Sequence, residues 1–99
     1  MINKNEQYIR YNLGFSWRGG RFSSGVFTSI EKAEIWINKH NLSGVLTAYP
    51  IDEGIYDWVL FNDFFRVKKQ AQMEPNYFIQ RFTSANQDHY HYENGTRDN

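Results

Sequence analysis

Residues 7–17 alternate strictly: Ile9, Tyr11, Leu13, Phe15 and Trp17 fall on one side, with Arg10, Asn12, Gly14 and Ser16 on the other. Apolar residues at a period of two predict a half-buried strand. Gly19 and Gly20, between Arg18 and Arg21, predict a two-residue hairpin turn, because glycine enters the positive-φ region without steric cost. The chain then returns through Phe22 to Phe27 as a second strand. Ser23, Ser24 and Gly25 weaken it, so a bulge or loop is expected before Val26.

The period changes next. Ile30, Ala33, Trp36, Ile37 and His40 recur at helical spacing opposite Glu31, Lys32, Glu34, Asn38 and Lys39, with acids ahead of bases as the helix dipole prefers. Thr28 and Glu31 read as the S/T-x-x-E capping box that starts this helix. Asn41 and Gly44, which tolerate the left-handed conformation, should stop it near His40 or Asn41. Val45 to Tyr49 is a nearly continuous apolar run closed by Pro50, the pattern of a central strand covered on both faces. Asp52-Glu53-Gly54 predicts a three-residue turn with Gly54 in the left-handed position.

From Ile55 to Phe61 the pattern fits two elements. Ile55, Trp58 and Val59 have helical spacing, while the unbroken apolar run suits a strand; a short helix is the preferred reading. Residues 62–76 are polar and interrupted by Pro75, and read as a loop. Tyr77 to Phe82 and His89 to Glu93 read as two strands joined by a hairpin over Thr83 to Asp88, and 94–99 as a frayed tail. This order predicts an α+β fold in a single domain over 1–99. It has a mainly antiparallel sheet of four to five strands and one principal helix, about 28–41, packed on one face. A helix crossing between the second and third strands would allow one parallel pair.

The blocks GVFTSIEKAEIWI, HNLSGVLTAYPIDEGIYDW and FIQRFTSANQDHYHYENG occur in that order. Together they resemble a family of small bacterial proteins described as a domain of unknown function, over roughly residues 22–95. The Leu-Ser-Gly, Tyr-Pro, Tyr-Asp-Trp and His-Tyr-His-Tyr-Glu steps carry the resemblance. After Tyr-Asp-Trp that family is more helical, with Ala, Glu, Lys and Gly where this chain has Val59, Leu60, Asn62 and Asp63. The resemblance implies fold boundaries and a bacterial origin, and it brings no activity with it.

Aromatic residues make up 18% of the chain, more than a core this small hides, so rings are expected at the surface, where they can meet a partner or a second copy. Eleven basic and eleven acidic residues cancel, so no global field draws nucleic acid or anionic lipid. A basic patch would have to be local. Arg10, Arg18 and Arg21 near Tyr8 and Tyr11 form one candidate, and Arg66, Lys68 and Lys69 after Phe64-Phe65 another, yet the evenly spread acids make nucleic acid an unexpected partner. The absence of cysteine removes disulfides, thiol catalysis and cysteine zinc sites. No signal-like segment opens the chain and no apolar run reaches the roughly 20 residues of a membrane helix, so a cytoplasmic protein without a membrane partner is expected.

The strongest candidate chemistry is His89-Tyr90-His91-Tyr92-Glu93. On a strand, positions 89, 91 and 93 share a face about 7 Å apart in succession, within reach of one divalent metal. A metal-dependent hydrolase or nuclease would use His89, His91 and Glu93 with Asp57 or Asp63, or with His40, as further ligand. The competing reading turns Tyr90 and Tyr92 to the core and the histidines to water; it is preferred because His-x-His alone is an incomplete ligand set. Asp52, Glu53, Asp57 and Asp88 read as turn formers and solvated charges. No nucleophile elbow, phosphate loop or dinucleotide fingerprint is present. The expected function is therefore a non-enzymatic binding module without a cofactor, of the immunity, inhibitor or other protein-interaction kind. The binding candidates are Tyr56, Trp58, His89, His91, Tyr92 and Glu93, of which Tyr56 and Trp58 also suit a core.

Overall fold

Leu13 and Phe15, the middle of the alternating stretch, are buried on a strand, β1 (Tyr11–Ser16), whose other apolar neighbours Tyr11 and Trp17 are exposed. The computed structural model describes residues 11–64 and 75–98. Expectations for residues 7–10, for 65–74 and for Asn99 lie outside them, and with these Tyr8, Arg10, Arg66, Lys68 and Lys69. The described residues fall into two units, 11–51 with 87–98, and 52–64 with 75–86.

The first unit holds a five-stranded sheet. Its elements are β1, β2 (Gly25–Phe27), α1 (Ile30–Lys39), β3 (Gly44–Pro50), β4 (His89–Glu93) and β5 (Thr96–Asp98). The spatial order is β2-β1-β3-β4-β5, and every neighbouring pair is antiparallel. Because β2 and β3 both run against β1, α1 joins two strands of the same direction with β1 between them. The parallel pair therefore does not form: β1 occupies the slot.

The registers sort the side chains into two faces. Phe15 lies opposite Leu46, which lies opposite Tyr90; Leu13 lies opposite Ala48; Gly44 lies opposite Tyr92, which lies opposite Arg97. These alternate positions share a face. Leu13, Phe15, Leu46 and Tyr92 from that face and Ala33 and Ile37 from α1 form the buried cluster, with Phe27, Ile30, Trp36 and Leu42 against it. Each large side chain so buried contributes about 1.5–3 kcal/mol. On the opposite face stand Val26, Val45, Thr47, His89, His91 and Asp98. β3 is central as expected, yet covered on one face more than the other: Leu46 is fully buried, Val45 and Thr47 are half-buried, and Tyr49 is exposed.

The helix starts one residue later than the capping box implied. Ser29, in extended conformation, is the N-cap, and its hydroxyl accepts from Lys32 N–H at 3.2 Å. Glu31 is then the second helical residue, one position short of reaching back, so only half of the box is made. The stop is where Asn41 places it. Asn41 has φ 55°, its N–H donates to Asn38 C=O at 3.2 Å, and Leu42 N–H donates to Ile37 C=O at 3.0 Å. That pair of bonds is a Schellman stop with Leu42 folded onto the core. Gly44 plays no left-handed part. It opens β3, where a Cβ would fall 2.5 Å from the Ser16 carbonyl oxygen, so close strand approach selects glycine there.

Two turns differ from expectation. Gly20 N–H donates to Trp17 C=O at 2.9 Å, which centres the turn on Arg18 and Gly19, and neither glycine has positive φ. Such a turn does not match the twist of a tight hairpin, so pairing resumes only at Phe15 opposite Gly25. After β3 the left-handed residue is Asp52, φ 63°, while Gly54 is the extended N-cap of the next helix.

In the second unit, α2 (Ile55–Phe61) resolves the ambiguous run as helix, with Trp58 and Val59 buried. It ends as α1 does. Asp63 has φ 62°, its N–H donates to Leu60 C=O at 3.1 Å, and Phe64 N–H donates to Val59 C=O at 2.8 Å. Residues 75–81, read as the end of a loop and the start of a strand, are instead α3 (Pro75–Arg81). Proline suits the first helical position, where no N–H is needed. Pairs four apart hold this helix: Arg81 lies over the Tyr77 ring at 4.9 Å, and Phe78 meets Phe82 at 5.5 Å.

The expected frayed tail is the second arm of a hairpin. Asn94 and Gly95, φ 51° and 88°, form the two-residue turn that returns β4 into β5. Its tip is tied to the end of α1: Gly95 N–H donates to Leu42 C=O at 2.8 Å and Asn94 N–H to Ser43 Oγ at 2.9 Å. Among the described residues, no helix is long and apolar enough to cross a membrane.

Candidate functional site

β4 separates the candidate residues by strict alternation. Tyr90 and Tyr92 turn to the buried cluster, while His89, His91 and Glu93 are exposed on the opposite face. The two imidazoles have ring centroids 5.4 Å apart, at 80° to each other. His89 Nδ1 lies 2.8 Å from the Gln87 carbonyl oxygen. A carbonyl only accepts, so Nδ1 carries the proton and, in the neutral ring, Nε2 keeps the lone pair. Across the sheet, His91 faces Val45 on one side and Asp98 on the other.

A groove of about 490 Å³ opens beside His91, bounded by Trp17, Arg18, Val45, Glu93 and Asp98. Trp17 is 65% exposed and yet packed. A Cβ on Gly20 would come within 2.9 Å of the indole, and one on Gly19 within 3.2 Å, so the ring lies flush on the turn that follows it. Among the described residues, the Arg18, Glu93 and Asp98 side chains make no ion pair. Trp17 was missed by the sequence reading because alternation assigned it to the buried side. The signal was the adjacent Arg18-Gly19-Gly20, which ends the strand before residue 17 can reach the core.

Tyr92 is 4% exposed and belongs to a different constellation. Its hydroxyl donates to Glu34 Oε2 at 2.6 Å, and the same oxygen accepts from Arg97 Nε at 2.8 Å and Arg97 Nη2 at 2.6 Å. The Arg97 guanidinium also lies 4.8 Å from the Tyr90 ring centroid. Burial, then the Glu34 carboxylate, push the Tyr92 hydroxyl up to about 12. The Tyr92 hydrogen bond, with help from Arg97, holds the Glu34 carboxyl below its ordinary range. This arrangement stabilises a charge pair rather than preparing a proton transfer, since each group is driven further into its resting form.

Tyr56 and Trp58 lie in the second unit. Tyr56 is half-buried with its ring edge-on to Phe78 at 5.9 Å and Phe82 at 5.5 Å; Trp58 is 6% exposed and packs on Phe64 at 5.5 Å. The structure thus brings His89, His91 and Glu93 to one face, turns Tyr92 to the other, and places Trp58 in a core. His40 is the C-cap of α1, edge-on to Trp36 at 5.9 Å. Among the described residues, no three or more histidine, aspartate or glutamate side chains form a group that could hold a metal ion.

No curated protein and no solved structure matches the chain. A family model does match, over residues 14–98, from the middle of β1 to the end of β5. The chain therefore belongs to the family described as domain of unknown function (DUF7710).

Proposed function

We propose that the protein is a non-enzymatic, protein-binding module of a bacterial cytoplasm, of the immunity or inhibitor kind. Its partner seats in the groove between Trp17 and the His91–Asp98 pair. The observation that carries this reading is Trp17: a large ring, 65% exposed, held flush on its own glycine turn at the rim of a groove. Binding energy concentrates on such aromatic anchors, and a ring that is already ordered loses little rotamer freedom on docking. Val45 supplies apolar floor, and Arg18, Glu93 and Asp98 a charged rim, the composition of a protein interface. In this reading α1 lies across the other face of the sheet. The burial of Ala33 and Ile37 with Leu13, Phe15, Leu46 and Tyr92 supports that placement.

Affinity capture from cells of the source organism, with wild type and Trp17→Ala side by side, tests the reading. The expected result is one protein retained in stoichiometric amount by wild type and lost by Trp17→Ala, whose unfolding midpoint is unchanged. With purified components the substitution should weaken binding by at least about 2 kcal/mol, as hot-spot truncations do. Equal retention by both forms overturns the reading. So does turnover of phosphodiester or ester substrates with divalent metal at a rate that His91→Ala abolishes.

A further inference from the structure

We infer that His89 and His91 form a two-ligand site for a divalent late-transition-metal ion, nickel, copper or zinc, with water in its remaining positions. Two features point to it, and neither depends on the docking groove.

The first is spacing. Metal–nitrogen bonds of about 2.0–2.1 Å at a tetrahedral angle put the centroids of two bound imidazoles about 5 Å apart. Here they are 5.4 Å apart, on alternate residues of one strand that is paired with β3 at both positions. Both rings are exposed, so neither is locked by core packing. The second feature is the Gln87 carbonyl, which fixes the tautomer of His89 from behind at 2.8 Å. Ligating histidines characteristically donate their other ring N–H to such a group, which orients the ring and raises its basicity. The lone pair of His89 Nε2 is left for the ion. His91 makes no hydrogen bond through its ring among the described residues.

The surroundings carry two carboxylates against one guanidinium. Glu93 is the next residue on the same face, Asp98 stands directly across from His91, and Arg18 bounds the same groove. Two imidazoles select the softer divalent ions and not magnesium or calcium, which require oxygen ligands. With two protein ligands the ion keeps open positions, so the site is one of binding and not of a closed structural metal.

Titration calorimetry on chelator-treated, tag-free protein tests the inference, using the chloride salts of nickel, copper and magnesium alone. One nickel or copper ion should bind per chain, copper more tightly than nickel, and magnesium should give no heat. His89→Ala and His91→Ala should each weaken nickel binding by at least the roughly 10–100-fold that losing an outer-shell partner costs. Both side chains are exposed, so the variants should fold. Independently of any variant, substoichiometric nickel should broaden the His89 and His91 imidazole resonances together while those of His40 stay sharp. The inference is overturned if wild type binds no ion, if either variant binds as wild type does, or if His40 responds in step. Because the docking reading is tested through Trp17, the failure of one leaves the other standing.

Discussion

The Tyr92 hydroxyl on β4 and the Glu34 carboxylate on α1 meet at 2.6 Å across 58 positions of sequence. Arg97 closes on the same oxygen from β5, so one carboxylate gathers a helix and two strands. Glu34 and Arg97 are each 37% exposed at the side chain, which leaves the ion pair itself screened by water. The Tyr92 hydroxyl is the most enclosed of the three groups, on a ring that is 4% exposed.

Tyr92→Phe keeps the ring in the core and removes only the hydroxyl, and should cost about 1–2 kcal/mol. Arg97→Ala should cost less than that, in line with an exposed pair screened by water. Glu34→Ala should cost more than either, because it removes the acceptor of both Tyr92 and Arg97 at once. Urea unfolding of the three variants checks the order; an Arg97→Ala loss larger than that of Glu34→Ala would contradict it.

Stability should fall at both ends of the pH scale. Tyr92 in the folded state is raised to about 12, against an ordinary value near 10. Its contribution is complete below about pH 10 and is lost as pH rises towards about 12. Glu34 is lowered, so its contribution is complete above the ordinary glutamate value and is lost as pH falls through the lower native one. Ultraviolet titration of phenolate should show one tyrosine ionising near pH 12 in wild type and missing from Tyr92→Phe. In Glu34→Gln part of that elevation should persist, since burial is its largest cause.

The start of α1 gives a paired test of neighbouring residues. Ser29→Ala removes the side chain that accepts from Lys32 N–H and should destabilise by about 1 kcal/mol. Thr28→Ala, one residue outside the helix, should change stability by less than about 0.5 kcal/mol. Equal losses would return the cap to Thr28.

Gly95→Ala should loosen the last hairpin. Its φ of 88° is costly for any other residue, by about 1–3 kcal/mol, and the new Cβ would lie 3.1 Å from Asn41 Cα. Amide exchange should accelerate at residues 96–98 more than at Leu46. Uniform acceleration throughout the sheet would mean that β5 does not open separately.

What could be read in advance follows from the range of each signal. β1, α1, its stop at Asn41 and the central place of β3 rest on local periodicity and on one residue type at one position, and these were legible. β5 was not, because Thr96, Arg97 and Asp98 are all exposed and show no apolar alternation. Only the Asn94-Gly95 dipeptide marked it. In α3 the aromatic run Tyr77 to Phe82 imitated a strand, and the distinguishing clues were Pro75 and the spacing of Phe78 from Phe82. On the site side, the outward histidines followed from alternation, whereas Trp17 was lost to it. The Glu34–Tyr92–Arg97 arrangement has no local signature, since its members become neighbours only when the sheet is complete.

The chain order of this sheet has a consequence for synthesis. β3 emerges from the ribosome with only β1 available beside it, and its other neighbour, β4, begins at His89, beyond the whole second unit. Until then Gly44 to Pro50 is an apolar strand with a bare edge, the kind that pairs with another nascent chain. A ribosome that stalls or terminates before His89 would release an adhesive half-sheet. The hairpin from His89 to Asp98 is thus what turns a sticky intermediate into a finished surface.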